Sequence, residues 1–354
     1  SHFIEPEFVP ELMEGTQYTL SINGEDLAGN PAESAIVLGV VYDAYPPVLA
    51  LNYPLPNSFI NNSKISYSIN ESLLEASIIW EAIGGADDPN SPHKIILNED
   101  ERKKGSYKDT VLTSQTSLQD STIYNVSFLG KDPAGNESNL IINDNVHYDI
   151  SSPIITINEP GNNHFTPSTN INYSSSEDLL IAKIIYVGTS GDKKRLNAEV
   201  IIPPDGLLAG THNSDDYNRA DLRDSATYMI GFEARDLAGN YARPVGLYNY
   251  HIDRTLPVIS ILSPTSFFYS NYPMFEYSLS EDIYYGKVIF FEQSDSISLL
   301  PAIEFELDSI EFSEGIHILD TLINQLPLKD STVYTIQLKV FDIAQNWNDS
   351  TIIT

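Results

Sequence analysis

The chain contains no cysteine in 354 residues, so no disulfide framework holds it and every fold in it must rest on packing. That lack is common in exported bacterial proteins and unusual in small extracellular domains of eukaryotes. Basic residues are scarce as well: 19 Lys and Arg stand against 49 Asp and Glu, a formal net charge of −30. A field of that sign repels polyanions, which excludes nucleic acid as a partner and speaks against anionic lipid. No stretch approaches the roughly 18 consecutive apolar residues of a membrane-spanning helix, and no membrane insertion is expected of this segment. The opening Ser1-His2-Phe3 lacks the basic start and apolar stretch of a signal peptide.

Catalytic signatures are missing too. There is no His-Glu-x-x-His, no Gly-x-Ser-x-Gly, no phosphate-binding glycine loop and no EF-hand spacing. The histidines do not recur in register, apart from His147 and His251 near the linkers, which read as strand-end residues. Asp215-Asp216 with Asp221 and Asp224 is the nearest approach to a catalytic oddity and reads as an acidic loop. These absences predict a non-enzyme that requires no cofactor.

What is present is one phrase used four times: Asp26-Leu-Ala-Gly-Asn30, Asp132-Pro-Ala-Gly-Asn136, Asp236-Leu-Ala-Gly-Asn240 and the worn Asp342-Ile-Ala-Gln-Asn346. Eight residues before each lies a tyrosine, and Tyr18, Tyr124, Tyr228 and Tyr334 recur at intervals of 106, 104 and 106 residues. A fixed period of this length marks a domain array. It predicts full repeats at 44–149, 150–253 and 254–354, preceded at 1–43 by the C-terminal part of another. The incomplete ends suggest a longer parent protein.

Within a repeat, Pro46-Pro-Val-Leu-Ala-Leu51, Pro153-Ile-Ile-Thr-Ile157 and Pro257-Val-Ile-Ser-Ile261 read as first strands, with proline where a ladder amide is dispensable. Ile65-Ser-Tyr-Ser-Ile69 and its counterparts alternate with period two and read as second strands. Third strands end on an aromatic: Trp80, Tyr186 and Phe290. The middle of each repeat varies and holds basic clusters such as Arg102-Lys-Lys104 and Lys193-Lys-Arg195, read as solvated loops. The sixth strand opens with the recurring tyrosine, after a corner of the form Leu-x-Asp/Glu-Ser/Gly-Thr/Ala-x-Tyr. Immunoglobulin sandwiches have a tyrosine corner there. Two residues on, where antibody domains carry cysteine, stand Leu20, Val126, Ile230 and Ile336, predicted to pack in its place.

On the Asp-x-Ala-Gly-Asn phrase, its leading tyrosine and the Pro-Val/Ile-Ile opening, the chain resembles the bacterial Ig-like repeats found in tandem in surface proteins and adhesins. The resemblance implies an all-β fold of tandem immunoglobulin-like β-sandwich domains arranged end to end. It implies an extracellular or cell-surface location and a structural or adhesive role. Fold alone does not name a ligand.

Three sets of acids recur. Asp43, Asp149 and Asp253 end the linkers; Glu71, Glu177-Asp178 and Glu281-Asp282 follow the second strands; Asp132, Asp236 and Asp342 open the phrase. In an Ig sandwich all three sets fall at one pole, and Glu14, Asp120 and Asp224 of the preceding corner face the same joint. Such carboxylates suit Ca²⁺, which takes six to eight oxygens. The same aspartates also suit turns, where they cap backbone amides, and both readings stay open. The expected role is an extended spacer or stalk whose partners are other repeats or neighbouring surface proteins. Alternatives are an accessory carbohydrate-binding module, with Phe267-Phe-Tyr269, Tyr272 and Tyr284-Tyr285 as glycan contacts, or a filament or surface-layer subunit completed by strand addition at Ile36-Val-Leu-Gly-Val-Val41.

Overall fold

The computed structural model describes residues 10–114, 117–190, 197–214, 221–266, 269, 274–293, 303–319 and 327–353. It divides into two compact units, one of Ser1–Ser151 with Leu237–Asn240, the other of Ser152–Asp236 with Tyr241–Thr354. The first unit begins with a two-stranded antiparallel hairpin, β1 (Gln17–Ile22) and β2 (Ala35–Val41). Its full repeat follows as β3 (Leu49–Tyr53), β4 (Phe59–Ile60), β5 (Ile65–Ile69), β6 (Glu75–Gly85), β7 (His93–Ile96), β8 (Gly105–Thr110), β9 (Thr122–Lys131) and β10 (Ile141–Tyr148). One sheet has the order β3-β5-β8 and the other β4-β10-β9-β6-β7.

The second unit holds two repeats. The first runs β11 (Ile155–Glu159), β12 (Phe165–Thr166), β13 (Asn172–Ser175), β14 (Leu179–Gly188), β15 (Ala198–Ile201), β16 (Gly210–Asn213), β17 (Ala226–Asp236) and β18 (Val245–Ile252). The next runs β19 (Ile259–Ser263), β20 (Phe275–Leu279), β21 (Tyr285–Glu292), β22 (Ile303–Glu306), β23 (Gly315–Leu319), β24 (Tyr334–Phe341) and β25 (Trp347–Ile353). Their sheets are β11-β13-β16 with β12-β18-β17-β14-β15, and β19-β20-β23 with β22-β21-β24-β25. Each repeat is thus an immunoglobulin-like sandwich in which β7, β15 and β22 pair with β6, β14 and β21, where the constant-type immunoglobulin fold adds the equivalent strand to the first sheet.

First strands begin two or three residues beyond the opening prolines, at Leu49, Ile155 and Ile259. Sequence reading also missed β4 and β12, two-residue strands parallel to the last strand of their sheets. There His147 stacks on Phe59 and His251 on Phe165, at 4.4 and 4.2 Å between ring centroids, which places both histidines at strand ends.

The core forms where β6 pairs with β9, β14 with β17 and β21 with β24. Trp80, Tyr186 and Phe290 are buried, and each meets the sixth-strand tyrosine edge-on: Trp80 with Tyr124 at 5.8 Å, Tyr186 with Tyr228 at 6.4 Å, Phe290 with Tyr334 at 6.3 Å. Edge-to-face pairs add about 0.5–1.5 kcal/mol beyond the area they bury. Val126, Ile230 and Ile336 are buried where antibody domains have cysteine. Leu20 departs from that expectation. In the hairpin it is 51% exposed, along with Ile22, Ile36 and Leu38, because no opposing sheet is described against β1 and β2.

Every tyrosine corner closes. The hydroxyls of Tyr18, Tyr124, Tyr228 and Tyr334 accept from the amides of Met13, Gln119, Arg223 and Lys329 at 2.7–2.9 Å. A second tyrosine set lies on the second strands. Buried Tyr67, Tyr173 and Tyr277 donate to the carbonyls of Glu101, Gly206 and Glu311. Tyr124 also donates to buried Asp88, which bonds His93. Burial first and the Asp88 contact second push the Tyr124 hydroxyl up to about 12. Removing one satisfied buried hydrogen bond costs about 1–3 kcal/mol. Tyr228→Phe should therefore lower the stability of its repeat by about 1 kcal/mol, and Tyr124→Phe by more because Asp88 loses a donor. Calorimetric melting of the two variants checks the order.

Candidate metal centre

The repeated phrase folds around its own aspartate. At the end of β9, Asp132 Oδ1 accepts from the amides of Gly135 and Asn136 at 2.7 and 2.9 Å, and Oδ2 from Asn136 Nδ2 at 2.8 Å. The worn copy does the same: Asp342 accepts from the Asn346 amide and side chain, both at 2.8 Å. Asp132, Asp236 and Asp342 are buried. Burial alone would raise the Asp132 carboxyl, but the bonds from Asn136, Gly135 and Ala134 prevail and hold it below its usual value. Exposed Asp26 is lowered by the Asn30 side chain and its own loop amides.

The asparagine has a second task that sequence reading missed. Its side-chain nitrogen also donates to the carbonyl of the aspartate that ends the linker: Asn136 to Asp43 at 3.1 Å, Asn240 to Asp149 at 2.9 Å, Asn346 to Asp253 at 3.0 Å. One side chain ties the loop carboxylate to the linker backbone. Only the nearly constant distance from each linker aspartate to its asparagine, 93, 91 and 93 residues, signals it in the sequence.

Carboxylates gather beside the first and the third of these clamps. Oxygens of Asp43, Glu71 and Asp132 lie within 4.8 Å of one another, as do those of Asp253, Glu281 and Asp342. Glu71 is raised by burial first and then by Asp43 and Asp132; Glu281 by burial, then Asp253 and Asp342. Asp253 is raised by burial and by Asp342 and Asp224. Three carboxylates with backbone carbonyls nearby form an all-oxygen donor set, which fits a hard divalent cation such as Ca²⁺ and not a thiolate- or imidazole-seeking metal.

The other acids have different partners. Asp120 accepts from the Ile150 amide and Ser151 hydroxyl, and Asp224 from the Arg254 amide and Thr255 hydroxyl. Glu14 accepts from the Ala44 amide. These corner acids cap the residue that follows the linker aspartate. Asp178 and Asp282 accept from the amides of Ala209 and Glu314, and Ser72 takes the Lys104 amide from the same repeat position. Asp149 closes the first full repeat and accepts from the Ser151 amide. Half-buried Glu177 follows β13, and buried Asp236 ends β17. Of the aromatics considered for glycans, Tyr269 is 96% and Tyr284 70% exposed and Tyr285 is half-buried. Phe267, Phe268 and Tyr272 lie outside the described residues, as do Asp215, Asp216 and the Lys193-Lys-Arg195 cluster.

No protein-family model matches the chain, and no curated protein does. Among solved structures it is similar to the FN1–FN3 domains of chicken CNTN1, at 11% identity over 87% of this chain and 98% of that one, with a TM-score of 0.30. A tetra-tandem repeat from the extending region of a large adhesion protein shares 12% identity over 97% and 81%, TM-score 0.29. A structure from a 1.5-MDa bacterial ice-binding adhesin shares 10% over 88% and 98%, TM-score 0.29. None of the three reaches a TM-score of 0.5, and what those proteins bind is theirs.

Two outcomes follow from this geometry. Gln345 holds a φ of 68° where the other copies have Gly29, Gly135 and Gly239 at positive φ. Side chains are strained there by about 1 kcal/mol or more, so Gln345→Gly should stabilise the third full repeat by about that amount in chemical denaturation. Glu71 and Glu281 have raised folded values, so the stability they contribute is present below their usual 4.5 and lost as pH rises through the raised value. In chelator, Glu71→Gln with Glu281→Gln should raise the melting temperature at pH 7 and change it little at pH 4. A pH series of melts reads the difference.

Proposed function

We propose that the chain is a non-catalytic structural segment of a multi-repeat surface or secreted protein, an extended spacer or stalk whose linkers are fastened by the asparagine clamp and hardened by calcium. The observation that carries this reading is the recurrence of one arrangement at successive linkers. The same Asn donates to the same linker carbonyl in each full repeat, and carboxylates that repel one another gather beside the first and third clamps. A load-bearing spacer needs joints of one design. Calcium supplies what the acids lack, a positive centre that turns mutual repulsion into shared ligation. Without it, each cluster costs stability at neutral pH.

A ligand that binds only the folded state stabilises it by about 2.7 kcal/mol at a hundredfold excess over Kd. Calcium should therefore raise the melting temperature of the native chain by several degrees over chelator. Asp43→Asn with Glu71→Gln, and Asp253→Asn with Glu281→Gln, should each reduce that response while the sandwiches stay folded. Equal melting in calcium and in chelator contradicts the calcium assignment and leaves the acids as turn caps. Small-angle scattering tests the spacer reading separately, and a particle as compact as one globular domain of this mass contradicts it.

A further inference from the structure

The outer face of the last sheet carries a feature that the repeat fold does not require. In the register of β21, β24 and β25, Tyr285 lies opposite Phe341 and Phe341 opposite Trp347, so three aromatic rings form one row across three strands. Trp347 is 53% exposed, Tyr285 and Phe341 are half-buried, and neighbouring Tyr284 is 70% exposed. Tyr285 and Phe341 stand 6.2 Å apart between centroids, and Lys339 Nζ lies 5.6 Å from the Phe341 ring and 4.8 Å from that of Trp347. Strands are spaced by about 4.8 Å, so the outer rings of the row stand roughly 10 Å apart, about two steps along a chain of pyranose rings.

The other repeats show what the fold needs at this row. The first full repeat has Glu75, Lys131 and Glu137 there: Glu75 opposes Lys131, and Lys131 bridges to Glu137 with an ion pair of 3.9 Å. The second has Ile181, Arg235 and Tyr241, with the guanidinium 5.7 Å from the tyrosine ring. All these positions flank the buried aspartate of the phrase in the same way. An ion-paired row serves the sandwich, so cross-strand packing does not account for three aromatics in the last repeat.

The row next to the rings is polar. Glu306 opposes Lys287, Lys287 opposes Lys339, and Lys339 opposes Asp349. Tyr285 donates to Glu306 at 3.0 Å, Lys287 pairs with Glu304 at 2.8 Å, and Gln337 donates to Asp349 at 2.8 Å. Two cations and three carboxylates nearly balance on this face, in a chain whose net charge is −30. Exposed rings beside fixed donors and acceptors suit a ligand with apolar C–H faces and hydroxyl edges. The charge selects among such ligands. A near-balanced face accepts a neutral polymer, and the field of the whole chain repels uronates and sulfated sugars.

The geometry points to a binding platform for a neutral polysaccharide on the β21-β24-β25 face of the last repeat, with Trp347, Phe341 and Tyr285 stacking on successive sugar rings and Lys339, Asp349 and Glu306 meeting their hydroxyls. It does not depend on the calcium assignment, and its test runs in chelator. The full chain is electrophoresed through gels containing hydroxyethyl cellulose, mixed-linkage β-glucan, arabinoxylan or galactomannan, with polygalacturonate as the acidic control. At least one neutral polymer should retard the native chain. The exchange Tyr285→Glu, Phe341→Lys, Trp347→Glu installs the row of the first full repeat and should weaken retardation at least about tenfold, because it removes all three stacking rings at once. Trp347→Ala gives a milder second variant if the triple exchange melts early. Tryptophan emission supplies a readout on native protein, since Trp80 is buried and Trp347 exposed. A polymer that binds should shift the emission of Trp347 and protect it from N-bromosuccinimide. No retardation by any of the four neutral polymers, retardation by polygalacturonate alone, or undiminished retardation of a folded variant overturns the platform.

Discussion

The structure depends on a buried negative charge. At the end of the sixth strand of every full repeat an aspartate is placed where water scarcely reaches it. An isolated carboxylate in such a place costs several kcal/mol, and the chain offsets that by wrapping a five-residue loop around it. The requirements of the wrap account for the phrase. Glycine supplies the positive φ that turns two amides toward the carboxylate, and asparagine closes the loop through its amide and its side chain. Because the asparagine nitrogen has two hydrogens, the one left over reaches the linker carbonyl. Burial of the charge, shape of the loop and attachment of the linker are thus one interaction seen at three scales.

The repeats show what this arrangement tolerates. Glycine is replaced by Gln345 in the last copy, yet Asp342 and Asn346 keep their bonds. The second-strand position held by Asp178 and Asp282 passes to Ser72 without loss of its role, because each caps one backbone amide. What varies freely is the outer face. The row flanking the buried aspartate changes from ion pair to cation–π pair to three aromatics. A sandwich core constrains the inner face of a strand and leaves the outer face open to separate selection.

Much of the fold was legible because it rests on period-two alternation and on residues with one plausible job. Tyr124, Tyr228 and Tyr334 lie in strands in which every second residue is buried, although β9 and β17 begin two residues before their tyrosines, and Trp80, Tyr186 and Phe290 sit in the core beside them. The strand starts were less legible, since proline disfavours a ladder position without saying how far beyond it pairing begins. Leu20 was misjudged because its pattern matches that of Val126 while its surroundings do not: alternation says which face is apolar and nothing about what covers it. The acids were legible as a set and not as individuals. Glu71 and Asp178 recur at neighbouring positions after the second strand, yet one turns to Asp43 and Asp132 and the other to a backbone amide of its own repeat. Such a choice is made by side-chain direction, which spacing does not encode. The Asp88–His93 contact was invisible for another reason, that among the described residues it occurs in one repeat.

The most direct test of the central claim is hydrogen exchange at the linker. If Asn136 fastens the linker to the buried-carboxylate loop, then in Asn136→Ala the amides of Ala44, Tyr45 and Val48 should exchange about tenfold faster, the loss of one hydrogen bond of ordinary strength. The amides of β9 and β10 should keep their native protection. Linker exchange unchanged in the variant would contradict the account, because the loop and the linker would then be independent structures that merely touch.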